Sequence, residues 1–140
     1  VTMFEQCLYF NTTSLARQLE REWTRAFKPY GLTPSQAFML RVILSKGAII
    51  STDLSLELNI SKATCSRTVE GLIALGFVTK IQGDTDGRSH KLHPTSKANN
   101  ISVEINKASS EVTKKIKRII GSKEFETTVK NLREISSSIK

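Results

Sequence analysis

Apolar residues recur along this chain in two rhythms, one near every 3.6 residues and one near every second, and the changes between them mark out six helices and three strands. Phe4, Leu8, Leu15, Leu19, Trp23, Ala26, Phe27 and Tyr30 form a helical stripe about seven turns long. Thr2-Met3-Phe4-Glu5 fits a capping box, so this helix, α1, is predicted to start almost at the first residue, and Pro29 and Gly31 end it. A helix of that length at the edge of a small chain has little of its own domain to pack on. It reads as half of a dimer interface, the alternative being an ordinary core helix.

Thr33-Pro34-Ser35-Gln36 is a second capping box, with proline at the first helical position, where its missing amide costs nothing. It opens α2, whose predicted buried face is Phe38, Met39, Val42, Ile43 and Leu44, and Gly47 closes it. Ile49-Ile50 reads as a short strand, β1, able to join a later hairpin as a third edge. Two short helices follow. The first, α3, runs from Leu54 to about Leu58 and leaves through Asn59, a residue that tolerates the left-handed conformation. The second, α4, is capped by Ser61 and runs to about Leu75. After Gly76, Phe77 to Ile81 is a strand of β-branched and aromatic residues, β2, and Arg88 to His93 returns as β3 across the turn formers Gly83-Asp84-Thr85-Asp86-Gly87.

Thr95 caps a long helix, α5, through Ile101, Ile105, Ala108, Val112, Ile116 and Ile119. Gly121-Ser122 breaks and recaps the chain, and Phe125, Val129, Leu132, Ile135 and Ile139 make a last amphipathic helix, α6. The predicted class is mainly α with a small β-wing (α+β), in the order α1-α2-β1-α3-α4-β2-β3-α5-α6. It forms a single domain over residues 1–140.

The helix pair α3–α4 carries the informative chemistry. Ile60, Ala63, Val69, Leu72 and Ile73 form the apolar stripe of α4, with Cys65 beside it, and the opposite face holds Lys62, Thr64, Ser66 and Arg67. Short hydrogen-bonding and long cationic side chains on the first turns of the second helix of such a pair suit base and phosphate contacts in a major groove. An ordinary solvated face usually mixes Glu with Lys, and here Glu70 is the one acid of the helix. Arg88 at the hairpin tip can enter a narrow minor groove, where the negative potential is enhanced, and Asp86 suits an arginine partner that holds the tip in shape.

The ordered run of these motifs resembles the MarR family of bacterial transcription regulators. The matching pieces are Leu32 to Gln36, Leu54 to Ser61, Thr64-Cys65-Ser66-Arg67, Leu72 to Val78, Asp84-Thr85-Asp86-Gly87-Arg88-Ser89 and Leu92 to Lys97. The resemblance implies a winged helix-turn-helix homodimer. Residues 32–94 would form the DNA-binding region, and 1–31 with 95–140 would interlock as dimerisation helices. It implies a DNA-facing set of Ser51, Ser61, Lys62, Thr64, Ser66, Arg67, Arg88 and Ser89 on a pseudo-palindromic operator, supported by Asp86. Ile50 stands where the family usually has a polar cap, which moves the expected cap of α3 to Ser51.

The family mechanism implied is release of DNA by a small aromatic or phenolic effector. Phe10, Trp23, Phe27, Tyr30 and Phe38 are the candidate lining of its pocket, or simply core. Some members sense organic hydroperoxides through a cysteine near the position of Cys7, supported by tyrosines where this chain has Pro34 and Ala37. Cys7, expected about one turn into α1, is therefore a candidate redox sensor or a small interface residue.

Composition adds bounds. A net charge of +8 and a pI near 9.7 suit an anionic partner, here double-stranded DNA. The Lys114-Lys115-Ile116-Lys117-Arg118 cluster is read as cations at a helix carboxyl end, not as a DNA contact. No long apolar run predicts a membrane span and no leader is evident, so a cytoplasmic protein is expected. Cys7 and Cys65 lack metal-type spacing. His90 and His93 lie three apart on a strand, facing opposite ways, so a shared metal is not expected. With no phosphate loop, nucleophile elbow or paired carboxylates, neither an enzyme nor a cofactor is expected.

Overall fold

The computed structural model describes residues 3–82 and 90–140, and the elements follow in the predicted order. They are α1 (Leu8–Phe27), α2 (Pro34–Lys46), β1 (Ile49–Ile50), α3 (Ser51–Leu58), α4 (Lys62–Ala74), β2 (Val78–Gln82), β3 (His90–Pro94), α5 (Ser96–Ile120) and α6 (Ser122–Ser138). A short 3₁₀ turn, Lys28–Tyr30, ends α1 and leaves through Gly31 at φ 69°, a left-handed exit that glycine adopts without strain.

Local chemistry explains most of the boundaries. The Thr33 hydroxyl accepts from the Gln36 amide at 3.2 Å while Gln36 Oε1 accepts from the Thr33 amide at 3.0 Å, so the capping box of α2 is complete. Asn59 sits at φ 55° between α3 and α4, and the Ile60 amide reaches back to the Ser55 carbonyl, closing the turn between the two helices. At the end of α4, Gly76 turns the chain into β2. The start of α5 then locks that corner: Thr95 Oγ1 donates to the Gly76 carbonyl at 2.7 Å, and Lys97 Nζ donates to the Leu75 carbonyl at 2.6 Å while lying over the Phe77 ring.

Strands β1, β3 and β2 form one antiparallel sheet in that order, with Ile49 opposite Leu92 and Lys80 opposite Leu92 on its other side. The core gathers Phe27, Leu32, Met39, Leu40, Ile43, Leu54, Leu72, Val78, Leu92 and Ile105, so it lies mostly among α2, α3, α4 and the sheet.

Several boundaries and faces differ from the sequence expectation, the strands running Val78–Gln82 and His90–Pro94 where Phe77 to Ile81 and Arg88 to His93 were expected. Helix α1 starts at Leu8 and not at Thr2–Glu5. Residues 3–6 form a turn whose carbonyls at Phe4 and Glu5 are taken by the Asn11 side chain, and the Cys7 amide bonds Phe4 O, so the N-cap shifts to Cys7. Helix α3 starts three residues earlier than expected, with Ile50 at the N-cap and no side-chain cap, so Ser51 is its first residue and does not cap it. The strand pairing of Ile50 with Lys91 already holds the chain extended there, which makes a polar cap dispensable. In α2, Leu40 and Ala37 are buried and Phe38 turns outward. Between α5 and α6, Gly121 at φ 93° serves as both caps, and Ser122 does not recap the chain.

Candidate nucleic-acid interface

Helix α4 owes its start to Ser61, whose hydroxyl accepts from the Thr64 amide at 3.1 Å. From there Cys65, Val69 and Leu72 face inward. Lys62, Ala63, Ser66 and Arg67 are exposed on the outward side, and Thr64 lies half-buried on the flank. Ala63 thus departs from the apolar stripe expected of it: at 100° per residue it falls between Lys62 and Arg67, in the middle of the outward face. A methyl there is the kind of group that packs on a thymine methyl.

The outward face is preorganised by its own hydrogen bonds. Thr64 Oγ1 accepts from the Ser61 hydroxyl at 3.0 Å and from Arg67 Nη2 at 3.2 Å, which aims the guanidinium along the helix. Glu70 is taken out of play as a free charge by Lys80 of β2, at 3.4 Å. The cations on this surface are therefore not opposed by an unpaired acid of α4. Ser51 is half-buried, and its carbonyl accepts from the Cys65 thiol at 3.8 Å, so it anchors α3 to α4 through backbone. Burial pushes the Cys65 thiol pKa up, which keeps it a neutral packing group. Asp86, Arg88 and Ser89 lie outside the described residues.

A cavity of about 500 Å³ opens behind α4, between it, α1 and the start of α2. Of the five aromatic residues expected to line a pocket, Trp23 and Phe38 do so, together with Leu19, Met39, Leu58, Ile60, Thr64 and Thr68. Phe27 is fully buried core with its ring edge-on to Phe38 at 5.9 Å, Tyr30 packs on that core, and Phe10 stands near the start of α1 against Phe4. The resemblance grouped all five as candidate lining, but of α1 only the C-terminal half reaches the lobe. Cys7 is exposed, and its Sγ accepts from the Phe10 amide at 3.5 Å as the cap of α1.

Three residues that no sequence motif marked tie the cavity wall to α5. Ser109, buried, accepts from Trp23 Nε1 at 3.0 Å and from Arg41 Nη1 at 3.0 Å, and Arg41 Nε donates to Asn106 Oδ1 at 2.7 Å. Arg41 also lies 5.1 Å from the centre of the Phe38 ring, and its burial lowers its pKa from the usual arginine value. The only sequence signal for this hub was an arginine in the middle of an otherwise apolar helix. The basic cluster of α5 is held within the layer: Lys115 bonds Glu22 of α1 at 3.2 Å, Lys114 pairs with Glu111, and Lys117 lies over Phe125. Among the described residues no three His, Cys, Asp or Glu side chains converge on a metal position, and no helix is long and apolar enough to cross a membrane.

Residues 30–89, from the end of α1 through α4 and into the hairpin, match the model of the MarR family. A curated relative, the HTH-type transcriptional regulator BilQ of Clostridioides difficile (strain CD3), is 28% identical over 127 residues, which is 91% of this chain and 86% of that protein. Two solved structures share the fold. A MarR protein from Peptoclostridium difficile DA00132 superposes with a TM-score of 0.86 at 22% identity, covering 99% of this chain and 91% of that one. A point mutant of MarR from E. coli, solved in complex with operator DNA, gives 0.84 at 15% identity over 96% and 99%. Motif order, the matched segment, the relative and the fold agree in making this chain similar to the MarR family of winged helix-turn-helix transcriptional regulators.

Proposed function

We propose that this chain is a homodimeric repressor that binds a pseudo-palindromic operator and releases it when a small aromatic ligand enters the cavity behind α4. The observation that carries the reading is the outward face of α4, where Lys62, Ser66 and Arg67 are exposed around Ala63 and the helix's acid is paired elsewhere. That face, with Ser51 and Ser61 at the approach to the backbone, would enter a major groove, and Arg88 and Ser89 with Asp86 would serve the minor groove. The operator complex of the E. coli homologue supports the same use of this fold. Two-fold symmetry then sets half-site centres about 34–36 Å apart.

Release follows from the cavity's walls. Thr64 and Thr68 of α4 form one side, and Trp23 of α1 forms another. A ligand that fits better when these helices are spread favours the spacing that does not match the operator, and only that difference in affinity shifts the balance. Cys7, exposed at the tip of α1, gives a second reading in which an organic hydroperoxide oxidises the thiol and moves the layer.

Fluorescence anisotropy on a duplex from the region upstream of its own gene, with excess unrelated DNA, tests the proposal. Binding that survives competitor supports the operator reading, and loss of binding on peroxide treatment, reversed by thiol, moves the trigger to Cys7. Dimerisation without any sequence preference overturns operator binding and leaves a winged-helix interaction module.

A further inference from the structure

The cavity behind α4 has a charge character of its own. Its walls are largely apolar, from Leu19, Trp23, Phe38, Met39, Leu58 and Ile60, and among the described residues its single charged wall residue is an acid, Glu20 of α1. No Lys, Arg or His of the described residues lines it, and Glu20 takes part in no ion pair among them.

The charged and aromatic donors that would welcome an anion are engaged elsewhere. The Trp23 indole N–H is spent on Ser109, and Arg41 is held by Asn106 and Ser109 on the far side of the Phe38 ring. Helix α2 opens toward the cavity, but Pro34 has no N–H and the Gln36 amide is taken by Thr33, which leaves only the neutral amide and hydroxyl of Ser35 at that end. What the lining offers beyond neutral Ser and Thr groups is a carboxylate and the electron-rich face of an indole, both of which attract cations.

We propose that the ligand of this cavity is an amphipathic aromatic cation. Its ring system packs among Trp23, Phe38, Met39 and Ile60, and its ammonium group lies toward Glu20. The volume of about 500 Å³ suits a molecule of two or three fused rings, within the range of small-molecule sites generally. An aromatic carboxylate or phenolate of the same shape would have to place its charge on a wall whose one charged residue is the Glu20 carboxylate, with no cation to offset it, and is disfavoured. The inference rests on reading the cavity as the effector site and names the chemistry of the effector.

Three matched compounds test it by calorimetry on the full chain: 2-naphthylmethylammonium, 2-naphthylmethanol and 2-naphthoate. The cation should bind about tenfold more tightly than the alcohol, and the carboxylate should bind least. In Glu20→Gln the advantage of the cation over the alcohol should fall to about threefold, the share left to Trp23, while the alcohol's affinity stays as it was. Glu20→Lys should bring the carboxylate ahead of the cation. Thermal melts of both variants check that the fold is kept. Equal binding of all three, or a preference that Glu20→Gln leaves untouched, overturns the cationic ligand alone. Failure of all three to bind overturns the effector reading of the cavity with it.

Discussion

The winged-helix lobe and the helices at the two ends of the chain are built from similar proportions of apolar residues, yet they satisfy them differently. In the lobe, Leu40, Ile43, Leu54, Leu72 and Leu92 are fully buried by neighbours from the same chain. In α6 no residue is buried, and Val129, Leu132 and Ile135 stand about two-fifths exposed in one row. Helix α1 is similar: it buries Phe27 at its inner end and leaves Leu8, Tyr9 and Leu15 uncovered at its outer end. Rows of that size on two helices that meet at α5 are the kind of apolar surface that protein–protein contacts cover. The lobe is a finished core, and on the proposed homodimer the terminal helices are half of one. The proposed second copy supplies the other half, with a two-fold axis letting the same row cover itself.

That contrast can be broken at either end. The largest effect belongs to the lobe: Leu40→Ala should cost about 2–5 kcal/mol of stability, seen as an early denaturant midpoint at every protein concentration. Next, Val129→Asp with Leu132→Asp should leave the lobe folded but weaken self-association at least about a hundredfold, read by sedimentation, because each carboxylate would be buried unpaired. If the double variant stays dimeric, α6 is not part of the interface. Arg67→Ala should leave both stability and dimerisation alone, weaken operator binding about tenfold and flatten its salt dependence by about one unit of slope.

The smallest effect sharpens the seam within the layer. Hydrogen bonds from Arg25 first and Lys115 second hold the Glu22 carboxyl below its ordinary value of 4.5. Its stabilisation is present above that value and disappears as pH falls through the lowered one, since the folded chain then takes up a proton later than the unfolded chain does. Acid melts of Glu22→Gln should therefore show a shallower loss of stability below pH 4.5 than the parent. Identical acid melts would remove this ion pair from the account.

Local signals were the legible part. The capping box at Thr33–Gln36, the Asn59 turn, the Ser61 cap and the Thr95 cap all depend on residues within five positions of one another, and the structure has each of them. The order of elements followed, because each boundary is punctuated by such residues. Periodicity was weaker at assigning faces. A stripe at helical spacing cannot say how far along a helix the partner extends: Leu8 and Trp23 share the stripe of α1, yet only Trp23 reaches the cavity. The same limit hid the outward position of Ala63, since alanine fits a buried stripe and an exposed face equally well.

Alone, then, the sequence determined the succession of helices and strands, the turn between α3 and α4, the cationic side of α4 and the resemblance to the MarR family. Only the tertiary structure decided that Ser109 accepts from both Trp23 and Arg41, that Glu70 pairs with Lys80, and that Glu20 is the charged wall of the cavity. The caps act through the chain's own covalent neighbourhood, whereas Trp23 and Ser109 are 86 residues apart and meet only because α1 packs along α5. Contacts of that kind leave no local trace, since each partner is chosen for a neighbour that the folded core brings to it.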